Sequence, residues 1–455
     1  MTTNEGGPAP RGDASWAAGA LWWHVYPLGF VGAEIRPADP DAHLARPVEH
    51  RLGHLEAWLD HVVGLGLDGL LLGPVFASQT HGYDTVDHLR VDPRLGDEAD
   101  LVHLVGAAHA RGVRVVLDGV FNHVGRGHPA FRLVEEQGPA APTAGLFRVD
   151  WTGWAAGQPV RVDVFEGHGA LVALDHDSPA VADLVVEAMC HWLERGVDGW
   201  RLDAAYAVPP AFWARVLPRV RARFPHAWFL GEVIHGDAQA IVRASGIDTL
   251  TQYELWQGIW HAIADRNLYE LAHAIGRHDD LLETFVPQTF VGNHDVTRIA
   301  SAVGPERVPH ALAVLLTVAG TPSLYAGDEL AWTGVKEERE GGDDAVRPTF
   351  PALPPSPDEL DPAARRVLDA TRALVAMRRR LPWLTTARTD VLHLDNRALV
   401  LRTGTGFGAV VTALNLDDAP VSLPAADART TVAGDGRLDA GTVHLPAGGW
   451  AVLEA

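Results

Sequence analysis

Short apolar runs alternate along the chain with longer stretches whose apolar residues recur at helical spacing. Amphipathic helices are predicted between most of the runs, for example at 52–65, 99–112, 181–196, 305–319 and 362–381. Eight runs predict buried strands: 21–27, 67–75, 113–120, 197–203, 227–233, 247–251, 285–291 and 322–329. Eight strands that alternate with helices predict an α/β fold, a closed parallel (β/α)8 barrel, more economically than an open sheet.

Three segments depart from this alternation and set the predicted domain limits. Residues 1–20 begin with many Gly and Pro and predict a flexible tail. Residues 124–178 are too long for a loop and predict a small inserted domain after the third strand. From 383 to 455 apolar and polar residues alternate at every second position. This pattern predicts a C-terminal antiparallel β-sandwich. The barrel would then comprise 21–123 and 179–382.

Composition excludes several classes of partner. The chain carries 37 basic and 58 acidic residues, a formal charge of −21, which argues against nucleic acid and anionic membranes as partners. Its single cysteine, Cys190, cannot form an internal disulfide. We find no apolar run of membrane-spanning length and no secretion signal at the N-terminus, and therefore expect a cytoplasmic protein. The sequence leaves the oligomeric state open, including a homodimer.

Polar residues cluster where the predicted strands end, which is the face on which barrel enzymes carry their chemistry. Arg201 and Asp203 lie two residues apart on the fourth strand, so we expect both to point the same way. Glu232 ends the fifth strand after Phe229 and Leu230, and we expect it in a less polar setting. The remaining strand-end residues of interest are His81, Tyr83, Asp84, Asp118, Asn122, His123, Asn293, His294 and Asp295.

A pair of carboxyl groups on adjacent strands, one ionised and one protonated, is what a double-displacement glycosidase requires. Taken singly, each of these acids is more often a turn residue or a helix cap than a catalytic group. Their coincidence at one face favours the catalytic interpretation, with Asp295 as a third carboxylate.

At these residues the sequence resembles the α-amylase family, glycoside hydrolase family 13, from about residue 21 to the C-terminus. The resemblance is nearest to members that degrade maltooligosaccharides and cyclodextrins inside the cell. The stretches that carry it are DGVFNH (118–123), GWRLDAA (199–205), FLGEV (229–233) and FVGNHD (290–295). Supporting stretches are HGYD (81–84), TPSLYAGDE (321–329) and GGDDAVRP (341–348).

The resemblance implies a retaining hydrolase of α-1,4-linked glucans, linear or cyclic, with a neutral oligosaccharide as its partner. Asp203 would be the nucleophile, Glu232 the general acid and base, and Asp295 the transition-state stabiliser. It also implies a set of substrate-binding residues: His81, Tyr83, Asp118, His123, Arg201, His294, Asp343 and Arg347. Many relatives bind calcium through the Asn at position 122 and a Lys-His pair after the nucleophile. Because Ala205 and Tyr206 replace that pair, we expect no cofactor and no calcium dependence, while the binding of a structural calcium stays open.

Three other functions stay open at this point. The same motifs serve family enzymes that transfer the glycosyl unit to a sugar or isomerise it, as in the formation of trehalose or isomaltose. A metal-dependent barrel hydrolase would need Asp118, His123, His294 and Asp295 to converge on one ion. A non-catalytic glucan-binding protein would usually have lost one of the three carboxylates, and all three are present here.

Overall fold

The computed structural model describes residues 13–455. Most of the predicted flexible tail, residues 1–12, lies outside the described residues. In the last part of that segment, Ser15–Gly19 forms a 3-10 helix. Ala17 and Ala20 are buried there, and the ring of Trp16 packs edge-on against Trp22 at 6.1 Å. Apolar side chains therefore anchor this segment.

The strands and helices follow the predicted alternation closely. The strands up to the last barrel strand are β1 (Trp22–Val25), β2 (Gly69–Leu72), β3 (Phe76–Ser78), β4 (Thr85–Val91), β5 (Arg114–Gly119), β6 (His123–Gly125), β7 (Val149–Asp150), β8 (Arg161–Val162), β9 (Leu171–Ala173), β10 (Gly199–Leu202), β11 (Trp228–Gly231), β12 (Thr249–Leu250), β13 (Gln288–Phe290) and β14 (Thr321–Tyr325). The C-terminal strands are β15 (Arg388–Leu394), β16 (Ala398–Thr405), β17 (Gly408–Asn415), β18 (Val421–Pro424), β19 (Thr430–Gly434), β20 (Arg437–Asp439), β21 (Thr442–Leu445) and β22 (Trp450–Glu454).

The α-helices lie between the barrel strands, as the apolar spacing predicts. They are α1 (Pro27–Phe30), α2 (Leu52–Glu56), α3 (Leu59–Leu65), α4 (Glu98–Ala110), α5 (Pro129–Gln137), α6 (Pro179–Leu193), α7 (Pro210–Arg221), α8 (Ala238–Ser245), α9 (Tyr253–Ala264), α10 (Leu268–Leu281), α11 (Ile299–Val303), α12 (Val308–Thr317) and α13 (Pro362–Arg380). Capping residues in the sequence mark where some of these helices begin. Asp97 and Asp100, for example, form a capping box that begins α4.

The chain divides into two compact units that do not coincide with the predicted domains. Tyr26–Leu59 and Leu70–Leu250 form most of the first unit, while Trp16–Val25, Asp60–Gly69 and Thr251–Ala455 form the second. The domain limits given above therefore stay predictions.

The first unit contains five neighbouring parallel strands in the order β12-β11-β10-β5-β2. Every residue of β2, β10 and β11 is buried, which explains why their sequences are almost continuously apolar. The insertion at 124–178 carries α5 and two short antiparallel pairs, β6 with β9 and β7 with β8. The long connection after the third barrel strand thus has secondary structure of its own.

The second unit contains three parallel strands in the order β1-β14-β13, followed by the C-terminal β region. In that region a five-stranded sheet and a three-stranded sheet share one apolar core. Its buried members are Ala398, Val400, Val411, Ala413, Leu423, Ala425, Val443, Leu445, Ala451 and Leu453. Two antiparallel sheets over a common core make a β-sandwich, as the alternating pattern predicted.

Two further properties concern the length of the helices and the burial of the cysteine. Within residues 13–455, every helix is too short or too polar to cross a membrane. Cys190 is buried on α6, and this burial raises the pKa of its thiol.

Candidate active site

The strand register of the first unit places four predicted site residues side by side. Arg201 on β10 lies directly opposite Asp118 on β5. Leu202 lies opposite Gly231 on β11, so the next residues of these two strands, Asp203 and Glu232, follow in step. Backbone hydrogen bonds continue past the strand ends, from Glu232 N to Leu202 O at 2.9 Å. Neighbouring parallel strands lie about 4.8 Å apart, so this register brings the side chains into contact range.

The guanidinium of Arg201 joins three carboxylates at this edge. Nη1 donates to both Asp118 oxygens at 2.7 and 2.6 Å and to Asp203 Oδ1 at 3.3 Å. Nη2 lies 2.5 Å from Glu232 Oε1. Burial lowers the pKa of Arg201, but the neighbouring Asp118 and Glu232 carboxylates outweigh burial and raise it well above its usual range. The arginine therefore remains charged.

The less polar setting expected for Glu232 is not what the structure has. Its Oε1 pairs with Arg201, and its Oε2 accepts a hydrogen bond from Ala204 N at 3.0 Å. Ala204, which directly follows Asp203, has a left-handed backbone with φ of 46°. The expectation failed because Phe229 and Leu230 precede Glu232 in sequence, whereas its neighbours in space come from β10.

Aromatic and imidazole groups adjoin these acids. Tyr83 donates its hydroxyl to Asp118 Oδ2 at 3.2 Å, and its backbone N–H donates to His81 Nδ1 at 3.3 Å. His123 contacts the Tyr83 carbonyl through Nε2 at 3.0 Å and the Asn122 amide through Nδ1 at 3.1 Å. Burial, opposed in part by the bond to Tyr83, lowers the pKa of His123 to about 4. The seven site residues predicted in the first unit are thus linked by contacts.

Four residues that the sequence analysis did not assign to the site extend this cluster. Phe165, in the insertion, stacks on the His123 ring at a centroid distance of 4.8 Å and an angle of 16°. Tyr206 donates its hydroxyl to Glu166 at 2.8 Å, and its ring lies 4.8 Å from that of His235. Burial and the bond to Glu166 raise the pKa of Tyr206, so the phenol stays neutral. A tyrosine three residues after Asp203 was the available signal.

The second unit assembles the other four predicted residues. Arg347 donates from Nε to the His294 carbonyl at 2.9 Å and from Nη2 to Asp295 Oδ1 at 2.7 Å. The same Nη2 also contacts Asp343. His294 Nε2 lies 3.0 Å from Asp295 Oδ2, so both carboxylate oxygens of Asp295 have a partner.

His24 on β1 is a member of this second cluster that the sequence analysis did not single out. Its Nε2 lies 3.2 Å from His294 Nδ1, and the two rings meet edge to face with centroids 5.0 Å apart. A histidine in the middle of the buried run WWHV was the visible signal.

Candidate metal ligands of the first cluster have partners within the protein. Asn122, which the resemblance associates with calcium, uses its amide on His123. Both oxygens of Asp118 accept from Arg201, and Oδ2 also accepts from the Tyr83 hydroxyl. In the part of the chain that the structure describes, one group of three carboxylate or imidazole donors lies within metal-binding range, His50 with Asp97 and Asp100. Two of these three carry the capping box of α4.

Comparison with known proteins shows which family the chain resembles along its sequence. Residues 52–369 match the model of the alpha-amylase catalytic domain. The chain is 29% identical to a maltogenic alpha-amylase of Bacillus acidopullulyticus over 81% of its own length and 64% of that protein. It is 28% identical to neopullulanase 2 of Thermoactinomyces vulgaris over 84% of its length and 66% of that protein. The aligned part of the chain therefore spans just under two thirds of these relatives.

Solved structures are similar over almost the whole chain. A cyclic alpha-maltosyl-(1→6)-maltose hydrolase from Arthrobacter globiformis superimposes with a TM-score of 0.80 at 25% identity, covering 98% of this chain and 100% of that chain. A debranching enzyme from Nostoc punctiforme gives a TM-score of 0.79 at 25% identity with the same coverage. The predicted fold class, a (β/α)8 barrel with an insertion and a C-terminal β-sandwich, is confirmed.

Proposed function

The chain belongs to the alpha-amylase family, and from this premise we propose that it hydrolyses α-1,4-glucosidic bonds of maltooligosaccharides or cyclic glucans with retention of configuration. One observation carries the proposal. Asp203 and Glu232 directly follow the paired last residues of two adjacent strands, and both contact the guanidinium of Arg201. A retaining mechanism needs two carboxyl groups about 5–5.5 Å apart, which is the spacing that neighbouring parallel strands favour.

In the first step Asp203 attacks the anomeric carbon, and the bond from that carbon to the glycosidic oxygen breaks. Glu232 gives its proton to this oxygen, so the leaving sugar departs as an alcohol and a glycosyl–Asp203 ester remains. Arg201 orients Oδ1 of the nucleophile. Since Glu232 contacts Arg201 in this structure, its role as acid requires that the bound sugar oxygen replace the guanidinium as its partner.

In the second step a water molecule attacks the same carbon and restores Asp203. Glu232, now a carboxylate, takes the proton of that water and returns to its acid form. No external acid, base or oxidant is needed for the cycle to close.

The other predicted residues bind and align the sugar in this proposal. A group of hydrogen-bonded side chains lies beside the two acids and consists of His81, Tyr83, Asp118 and His123. His123 stays neutral above pH 5 because its pKa is about 4, so it acts as a dipolar hydrogen-bonding group and not as a cation. Asp295 receives the role of transition-state stabiliser from the motif FVGNHD, and His294, Arg347 and Asp343 support it.

The partner in this proposal is a neutral α-glucan, which a charge of −21 does not repel. Names of relatives support the substrate class: maltogenic amylase, neopullulanase and cyclomaltodextrinase. A cytoplasmic location also stays part of the proposal, and one relative from Bacillus subtilis is named an intracellular maltogenic amylase.

Replacement of Asp203 by Asn tests the nucleophile. We expect turnover of maltotriose to fall by at least about a thousandfold, since an amide cannot form the ester intermediate. Asp183→Asn is the matched control, because Asp183 is an exposed acid on α6. Turnover by the Asp203→Asn variant within tenfold of the wild type would refute the assignment.

Product analysis then defines the reaction and substrate. A panel of maltotriose, a cyclodextrin, pullulan, isomaltose, sucrose and trehalose should give shorter α-glucans from the first two. Products longer than maltotriose early in the reaction would instead identify a transglycosidase that uses the same residues.

A further inference from the structure

Three groups of the second unit form a chain of polar contacts that ends at a predicted functional carboxylate. His24 Nε2 lies 3.2 Å from His294 Nδ1, and His294 Nε2 lies 3.0 Å from Asp295 Oδ2. His24 is 5% exposed and His294 is fully buried, so water has little access to the contact between the two rings. The link between them is therefore a protein–protein hydrogen bond in a dry setting.

The carboxylate sets the direction of the hydrogen bonds in this chain. Asp295 Oδ1 accepts from Arg347, and a carboxylate paired with a guanidinium is an acceptor at both oxygens. His294 must then donate from Nε2 to Oδ2. In the Nε2–H tautomer of His294, which makes this donation, Nδ1 accepts a hydrogen bond, and Nε2–H of His24 lies 3.2 Å away and can supply it.

We propose that His24 is a positioning residue, which donates from Nε2 to His294 and holds that ring in the tautomer whose N–H is directed at Asp295. This inference rests on the proposed function, because it makes His24 act on catalysis through Asp295. It adds a residue of the first barrel strand to the machinery, by the same logic through which an outer hydrogen bond fixes the tautomer of a functional histidine.

The position of His24 suits this role because β14 holds its backbone in register. It pairs with Tyr325 of β14 in the parallel register of β1, and Ala326 N donates to the His24 carbonyl at 2.9 Å. The Tyr325 ring packs edge-on against the imidazole at 5.5 Å, and its hydroxyl donates to the Val346 carbonyl at 2.9 Å. Tyr325 therefore packs against the imidazole while its hydroxyl is bound elsewhere.

Two substitutions separate the hydrogen bond from the packing. His24→Phe keeps an aromatic ring between His294 and Tyr325 and removes the donor. His24→Gln restores a donor, since its terminal amide reaches about as far as Nε2. We expect kcat on maltotriose to fall about tenfold in His24→Phe with KM within threefold of the wild type, and to recover to within threefold of wild type in His24→Gln.

The second readout is the tautomer of His294. It is measured by 15N NMR of the ring nitrogens in protein labelled on histidine. The His294 signals are identified by their loss in His294→Gln. We expect the Nε2–H form in the wild type and in His24→Gln, and the Nδ1–H form or a mixture in His24→Phe. A purely structural role for His24 would not move this signature between two folded variants.

Each outcome decides the proposal. A wild-type His294 in the Nδ1–H form overturns it without any variant, even if His24→Phe does not fold. A changed tautomer in His24→Phe with kcat within twofold of wild type also overturns the positioning role. Failure of the wild type to cleave any glucan removes the proposed function, whereas the tautomer still reports separately whether His24 controls His294.

Discussion

The guanidinium of Arg201 lies among the carboxylates of Asp118, Asp203 and Glu232, and it is 3% exposed. Buried acids of this kind are tolerated only when a fixed cation satisfies them. Arginine suits this task because its planar fork presents several donors in different directions at once. The residue is therefore as important for the folded state as for the orientation of the acids.

Lysine in place of Arg201 should fail in both respects. A single ammonium cannot span three carboxylates, so we expect Arg201→Lys to lower the free energy of unfolding by about 3 kcal/mol. Turnover of maltotriose should fall by at least about a hundredfold. Urea unfolding and steady-state kinetics measure the two effects, with Arg219→Lys on the surface as the control. Equal stability of Arg201→Lys and wild type would contradict this reasoning.

At the scale of elements, strand β10 carries Arg201, and Asp203 follows its last residue directly. Its neighbours β5 and β11 are in parallel register with it, and Gly199 begins it at a crowded point. A Cβ built on Gly199 would lie 2.3 Å from the Trp228 carbonyl oxygen of β11. Backbone atoms of a paired strand cannot move aside without breaking the pairing.

Gly199→Ala should therefore push β10 away from β11. We expect a loss of about 2–3 kcal/mol in the free energy of unfolding, together with reduced activity because the two acids no longer lie in step. Gly106→Ala on α4 is the matched control, since Gly106 is exposed and has no atom within 4 Å of the added Cβ. That change should stabilise the helix by about 0.5–1 kcal/mol. If the two variants unfold alike in thermal melts, the crowding argument is wrong.

The strands and most helices could be predicted because buried parallel strands are continuously apolar and helices keep their spacing. The acids at the ends of β5, β10 and β11 could be predicted to gather because parallel strands end at one edge. The motif order then gave each acid an expected role.

Side-chain environments could not be predicted in the same way. The contact of Glu232 with Arg201 depends on which guanidinium nitrogen faces β11, and sequence spacing does not contain that information. His24 was missed because its partner, His294, lies 270 residues further along the chain. The helix at Ser15–Gly19 was missed because Gly and Pro in the preceding residues suggested a continuous tail.

At the scale of the whole molecule, a set of buried neutral histidines makes the stability depend on pH. Burial lowers the pKa of His123, His278 and His310 to about 4, each from an ordinary value of 6.5. The unfolded chain binds protons at these sites between pH 6.5 and 4 while the folded chain does not. Stability is therefore greatest above pH 6.5 and is lost as the pH falls towards 4.

Buried acids act in the opposite direction, and burial raises the pKa of both Asp279 and Asp328. Burial raises the pKa of Asp328 to about 7, so this group adds stability as the pH falls below 7. The three histidines outnumber these two acids, and each histidine contributes up to about 1.4 kcal/mol per pH unit in its window.

The free energy of unfolding, measured in urea at pH 7, 6 and 5, should therefore decrease steadily with acidification. His278→Gln should reduce this slope by about 1 kcal/mol per pH unit, because one of the titrating sites is gone. His103→Gln, at an exposed histidine on α4, is the control and should leave the slope unchanged. Stability that stays constant or increases between pH 7 and 5 would contradict the prediction.

The burial of Cys190 on α6 has a practical consequence for anyone who wishes to attach a dye or spin label. A thiol with a raised pKa inside the folded chain reacts slowly with maleimides. A cysteine introduced at any exposed position is then the fast-reacting thiol of the protein. Site-specific labelling can proceed on the natural background, without first engineering Cys190 away.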